Sequence, residues 1–126
     1  MGNSQIIDYF SDTNRQLFYK ISKNYTVPNF VKEAHEETYA DISGLDNQYF
    51  ADSARHKLPC HTKSATWLSS AYFLENYDNY EARERAVVLD KLIKKSHAFD
   101  IGDAVADMFK KKAANIARND DPKYAL

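Results

Sequence analysis

Metal-ligand and nucleophile residue types crowd together at one place in this chain, Arg55-His56-Lys57-Leu58-Pro59-Cys60-His61. A thiolate with imidazoles is the donor set zinc prefers. The spacing argues against a metal centre: Cys60 and His61 are adjacent, so their side chains diverge. His56 stands beside two cations, and no second CxxC or HxxxH supplies the remaining ligands. No metal and no cofactor are therefore expected. A nucleophilic pair of Cys60 and His61 fails similarly, because catalytic Cys and His meet through the fold rather than along the chain, and His35 and His97 are uncommitted. Cys60 reads as a small buried apolar residue. The carboxylates Glu33, Glu36 and Glu37, and Glu81 with Glu84, stand at helical-surface spacings, where carboxylates are more often solubilising than catalytic. Gly2, Gly44 and Gly102 are too far apart for a phosphate-cradling loop. The residues point to a non-enzymatic protein with no small-molecule substrate.

Two features invite a nucleic-acid reading. Lys94-Lys95 with His97, and Lys110-Lys111-Lys112 with Arg118, would form a basic patch if two helices presented these ends together. The lysines lie late in a helix that starts with Asp100, Asp103 and Asp107, which is how a helix complements its own dipole, and the opposing acids cancel the field. Trp67 and Phe73 resemble a base-stacking platform, yet the run from Trp67 to Leu74 contains no cation to interleave with them, so core packing explains them better. Seventeen Lys plus Arg against eighteen Asp plus Glu leave a net charge of −1, too little to hold a polyanion or an acidic membrane surface. Nucleic acid is disfavoured as a partner. No segment approaches the ~20 apolar residues of a membrane span, so no membrane is expected either. The 126 residues, 44% of them apolar and 28% charged, have the balance of one globular domain. A single cysteine excludes an intrachain disulfide, and Met1-Gly2-Asn3-Ser4 lacks the apolar stretch of a secretory signal, so a reducing compartment is expected.

The elements that must position these residues divide the chain in two. Residues 1–61 read as an aromatic-rich, largely irregular arm, with one short amphipathic helix over about 13–23 that Ser11 or Asp12 can cap. A brief helix from Pro28 to Tyr39 would place Val31, Ala34 and His35 on one narrow face. From 62 to 118 three helices form a small core, and 119–126 is a tail. Thr62 caps the first helix, Asp78-Asn79-Tyr80-Glu81 opens the second as a capping box, and Asp100 caps the third, which Asn119-Asp120-Asp121-Pro122 stops. The second helix turns Ala82, Ala86, Leu89 and Ile93 inward, and the third Ile101, Val105, Phe109, Ala113 and Ile116. No period-two alternation extends over five residues, so no sheet is expected. The fold class is mainly α.

The stretch from Phe50 to Phe73 resembles a short module of virion and head-morphogenesis polypeptides of tailed bacteriophages: Phe-Ala-Asp, a basic cluster, Pro-x-His, then a small-residue helix. The likeness continues through an Arg-rich helix over 81–95 to Lys94-Lys95-Ser96-His97-Ala98-Phe99-Asp100-Ile101, covering roughly residues 46–101. It implies a structural or assembly component of a virion, present in the host cytoplasm before assembly, whose partners are other virion proteins or copies of itself. The residues agree, because tyrosine-rich arms lay aromatic side chains into grooves of neighbouring subunits. Tyr25, Phe30, Tyr39, Tyr49, Phe50 and Arg55 are the expected partner-binding residues, with Phe50 the main anchor and Asp52 paired to Arg55 across a tight turn. The alternative is a small cytoplasmic regulatory module that binds a protein or nucleic acid.

Overall fold

A computed structural model describes the backbone of residues 5–119 and the side chains of residues 5–114. The chain is mainly helical. Helices α1 (Gln16–Asn24), α2 (Asn29–Glu33) and α3 (His35–Thr38) precede an antiparallel hairpin of β1 (Phe50–Asp52) and β2 (Lys57–Pro59). Helices α4 (Lys63–Glu75), α5 (Ala82–Ala98) and α6 (Gly102–Asn119) follow. The hairpin corrects the expectation of no sheet: its strands are three residues each, too short to produce an alternation signal.

Helix α4 begins where its N-cap was expected, with the Ala65 N–H donating to Thr62 Oγ1 at 3.1 Å. Every side chain from Ser64 to Leu74 is buried, so α4 has no solvent face. A helix apolar all round must be covered on every side, and α1, α2, β2, α5 and α6 all pack against it. Its hydroxyls find acceptors inside: Thr66 donates to the Thr62 carbonyl at 2.7 Å, Ser70 to that of Thr66 at 2.8 Å, and Ser69 to that of Pro59.

Residues 5–61 are part of this covering. Ile6, Tyr9, Ile21, Tyr25, Val31, Phe50 and Leu58 are core residues. Asn76, at the end of α4, fastens the N-terminal segment by accepting from the Ile7 N–H at 3.0 Å and donating to the Ile7 carbonyl at 2.7 Å. Asp12 does cap α1, as its position promised, accepting from the N–H groups of Gln16, Leu17 and Phe18 at 3.0–3.1 Å while Tyr72 donates to it at 2.7 Å. Helix α1 starts only at Gln16 because Arg15 is left-handed (φ 56). Pro28 precedes α2, and the expected 28–39 helix breaks at Ala34 (φ −96, ψ 21), which turns Thr38 inward and leaves His35 exposed.

The C-terminal helices exist as expected, but their phases differ. The capping box of α5 is Glu81 with Glu84, three residues later than expected, because Tyr77–Asn79 forms a separate 3₁₀ turn. Inside α5 the buried residues are Val88, Leu92 and Ser96; Leu89 is half-buried, and Ala86 and Ile93 face outward. Apolar residues occupy more than half the circumference of α5, so pattern alone leaves its phase open. Ser96 can point inward because its hydroxyl donates to the Leu92 carbonyl at 2.6 Å. Asp100 is left-handed (φ 63) and ends α5, the Ile101 N–H reaching back to the Ser96 carbonyl at 2.9 Å, rather than opening α6 as a side-chain cap. Ile101, Val105 and Met108 are the buried face of α6; Phe109 is half-buried and Ala113 exposed. The Ile116 side chain and the tail beyond residue 119 lie outside the described residues.

Leu92 has 0% exposure and Ile93 38%. Leu92→Asp should therefore abolish folding, since a charge there costs several kcal/mol of a total of about 5–15. Ile93→Asp should move the melting temperature by only a few degrees. Equal damage from both substitutions in thermal melts followed by circular dichroism would refute this phase of α5.

Candidate functional site

The turn between β1 and β2 gathers a connected polar cluster. The strands pair Phe50 with Pro59 and Asp52 with Lys57. Asp52 is buried at the end of β1. Its carboxylate accepts from the Arg55 backbone N–H at 3.2 Å, the Arg55 guanidinium at 3.1 Å and the Tyr80 hydroxyl at 2.7 Å. The expected Asp52 and Arg55 turn is thus present. Arg55 also lies 5.3 Å from the Tyr80 ring and reaches Glu84 at 2.9 Å, and Glu84 in turn accepts from the Glu81 N–H. A chain of charge-assisted bonds therefore fastens the hairpin turn to the first turn of α5.

Proton equilibria follow from these contacts. Burial, and then the bond to Asp52, push the Tyr80 phenol far above its ordinary value. Burial and Asp12 do the same to Tyr72, and burial with neighbouring Tyr39 and Asp8 to Tyr9. The Glu81 N–H, aided by Arg55, holds Glu84 below the usual carboxylate range. The Asp52 carboxylate, the Tyr80 hydroxyl, the Arg55 guanidinium and the Glu84 carboxylate all bond within the cluster, which makes it a lock between the two elements.

Beside this lock lies a groove of about 320 Å³ between the hairpin and α5. Ala51, Ala54, Val87 and Val88 supply its apolar lining, and Arg83 and Lys91 stand at its rim. Val87 is 67% exposed. The Lys91 ammonium donates to Ser53 Oγ at 3.0 Å, and neither Arg83 nor Lys91 has a carboxylate within ion-pair distance among the described residues. Arg83, Val87 and Lys91 recur every four residues and so form one stripe along α5. That spacing was the signal available in the sequence, hidden by the surrounding aliphatic residues.

The expected partner-binding residues are not brought together, and most serve the fold. Phe50, 2% exposed, packs in the interior and stacks on His56 at 4.3 Å; Tyr25 is 6% exposed. Phe30 lies half-buried under Lys63, Tyr39 packs edge-on to Tyr9 at 5.3 Å, and Tyr49 lies under Lys95. Their aromatic area is covered by the chain itself, because α4 needs it. Arg55 lines the groove beside α5 described above, and Tyr25 and Phe30 line two separate recesses.

The Cys60 thiol donates to the Tyr49 carbonyl at 3.3 Å, and burial pushes its pKa up. Burial lowers that of His61, whose Nδ1 has no partner. Among the described residues no three His, Cys, Asp or Glu side chains gather as metal ligands, and no helix is long and apolar enough to cross a membrane. Two of the late-helix lysines pair within their own helices, Lys94 with Asp90 at 3.0 Å and Lys111 with Asp107 at 3.9 Å, while Lys95 and Lys112 lie over the rings of Tyr49 and Tyr77. Comparison with known proteins finds no matching family model, no matching curated protein and no matching solved structure.

Arg55→Ala removes the link between hairpin and α5 and should lower the unfolding free energy by about 1–2 kcal/mol, since the guanidinium is partly solvated. An unchanged urea midpoint would contradict the lock. Tyr9, Tyr72 and Tyr80 hold their phenols neutral in the fold, whereas in the unfolded chain they ionise near the ordinary value of 10. Their contribution is complete below that pH and is lost as pH rises above it. Alkaline titration should show a late, cooperative rise in tyrosinate absorbance coincident with loss of helical circular dichroism; gradual ionisation in an intact fold would speak against these contacts.

Proposed function

We propose that this chain is a non-enzymatic structural or assembly component of a bacteriophage particle, acting through protein-protein contacts in the virion after passage through the host cytoplasm. One observation carries the contact: the groove beside α5 exposes Val87 between two cations that have no ion-pair partner among the described residues, on walls that the Asp52 cluster fastens together. Apolar area flanked by arginine is the composition that interface centres favour. What supports the particle setting is the Phe-Ala-Asp, basic-cluster and Pro-x-His pattern of residues 50–61 and the small-residue helix after it. The contact surface in this reading is the hairpin and α5, not an extended arm.

A second reading, a small cytoplasmic regulatory module, draws support from the packing of residues 5–61 onto α4, since a unit that covers its own core needs no partner to order it. Fractionation of infected cells separates the two. The chain should band with purified particles at a constant copy number in quantitative mass spectrometry. Recovery only from the soluble fraction would overturn the particle setting and favour the regulator.

A further inference from the structure

A second recess, of about 290 Å³, lies between α5 and α6 and shares no lining residue with the groove beside the hairpin. The two helices run antiparallel, since Lys112 late in α6 returns to the Tyr77 ring just before α5. Gly102 and His97 therefore line one end of the recess and Phe109 and Ile93 the other, with Ala106 between. The His97 ring lies against Gly102, where a Cβ would come within 3.1 Å of its Nδ1. Ile93 is 38% exposed, Phe109 half-buried and Ala106 exposed, so apolar area faces water here. Asp103 and Lys110 are exposed on the same side of α6, about 10 Å apart by helical rise, and neither has an ion-pair partner among the described residues. The midpoint of Asp103 and Lys110 along the helix falls beside Ala106, and so does that of Gly102 and Phe109.

We propose that this face binds the same face of a second copy of the chain across a two-fold axis at Ala106, with the two α6 helices antiparallel. An acid at one end of the stripe and a base at the other make it complementary to itself in that direction only: Asp103 of each copy meets Lys110 of the other. The small side chain of Ala106 on the axis lets the two helices approach closely. The half-exposed Phe109 ring of each copy enters the end of the other's recess beside Gly102 and His97, so neither recess is left empty. Asp107, one residue further round the helix, is off this stripe and paired with Lys111 at 3.9 Å. The contact is isologous and closes at two copies. It is separate from the groove beside the hairpin and does not depend on the function proposed for that groove.

Sedimentation equilibrium of the whole chain tests it. The wild type should form a dimer with rising concentration. Ala106→Arg places a bulky charge on the axis at an exposed position and should weaken dimerisation about tenfold or more, while the melting temperature in dilute solution stays within a few degrees. Asp103→Lys and Lys110→Glu, made separately, set like charges against each other and should each weaken it about tenfold. Mixed together, these two reversed variants regain both complementary pairs and should form a heterodimer, which a variant that merely misfolds does not do. Ala106→Cys should give a disulfide-linked dimer on mild oxidation, because the two-fold axis brings its copies together, whereas the wild type, with Cys60 buried, should not. A wild type that stays monomeric at millimolar concentration overturns the proposal. So does a dimer that ignores Ala106→Arg and both reversals, a pair of folded reversed variants that do not combine, or an Ala106→Cys chain that dimerises without cross-linking.

Discussion

Eleven consecutive side chains of α4, Ser64 to Leu74, are withdrawn from water, and most of the architecture follows from the need to cover them. An amphipathic helix docks one stripe and leaves the rest solvated; a helix without a polar face must be enclosed. The three C-terminal helices cannot enclose it alone, since α5 and α6 cover only part of its circumference. The remaining faces fall to the N-terminal half, where α1, α2 and the hairpin pack against α4 and Tyr9 and Asp12 close over Tyr72. The abundance of aromatic residues before residue 51 is thus the complement of α4. Each supplies a large apolar area at low rotamer cost, which suits short elements that must cover much surface.

Enclosure buries polar groups, and each one then fixes an element. Three buried aspartates show the pattern. Asp8 holds the Ser11 turn and accepts from the Leu58 N–H at 3.4 Å; Asp12 caps α1 and takes the Tyr72 hydroxyl; Asp52 closes the hairpin and takes the Tyr80 hydroxyl. A buried carboxylate without donors is costly enough to exclude neighbouring registers, so these contacts specify one arrangement among several of similar apolar burial. Leu58 shows how firmly. A bulky residue at φ 61 bears a backbone cost of order 1–3 kcal/mol, and it persists because full burial of its side chain and the Asp8 contact hold it in place.

What was legible in the sequence was local. Thr62 at the start of α4, Asp12 ahead of α1, the Asp52 and Arg55 turn and the existence of all three C-terminal helices rest on contacts within a few residues, and each stands where the residue types placed it. The fate of the aromatics was not legible, because whether Tyr25 and Phe50 meet a partner or their own core depends on how many sides of α4 need covering, and α4 has so little amphipathic bias that its pattern gives no count. The phase of α5 was lost for the opposite reason. Ala86, Val87, Val88, Leu89, Leu92 and Ile93 offer apolar faces all round, and only the hydroxyl of Ser96, quietly satisfied by its own helix, marks the true inside. The same ambiguity hid the Arg83, Val87 and Lys91 stripe.

The lock and the groove are linked by more than proximity. The Asp52, Arg55 and Glu84 chain joins the two walls of the groove, the hairpin turn and the first turns of α5, and the Lys91 bond to Ser53 joins them again further along. A groove whose walls could separate would have to be ordered by whatever binds it, at about 0.5–1.5 kcal/mol for each side chain immobilised. Here that ordering has already occurred during folding. An extended arm would have met the full ordering cost at every contact, and the short hairpin, having packed Phe50 inward, presents only a preformed edge. Weak contacts between rigid surfaces, repeated along an assembly, can then sum to a stable structure while each remains reversible enough for misplaced copies to leave.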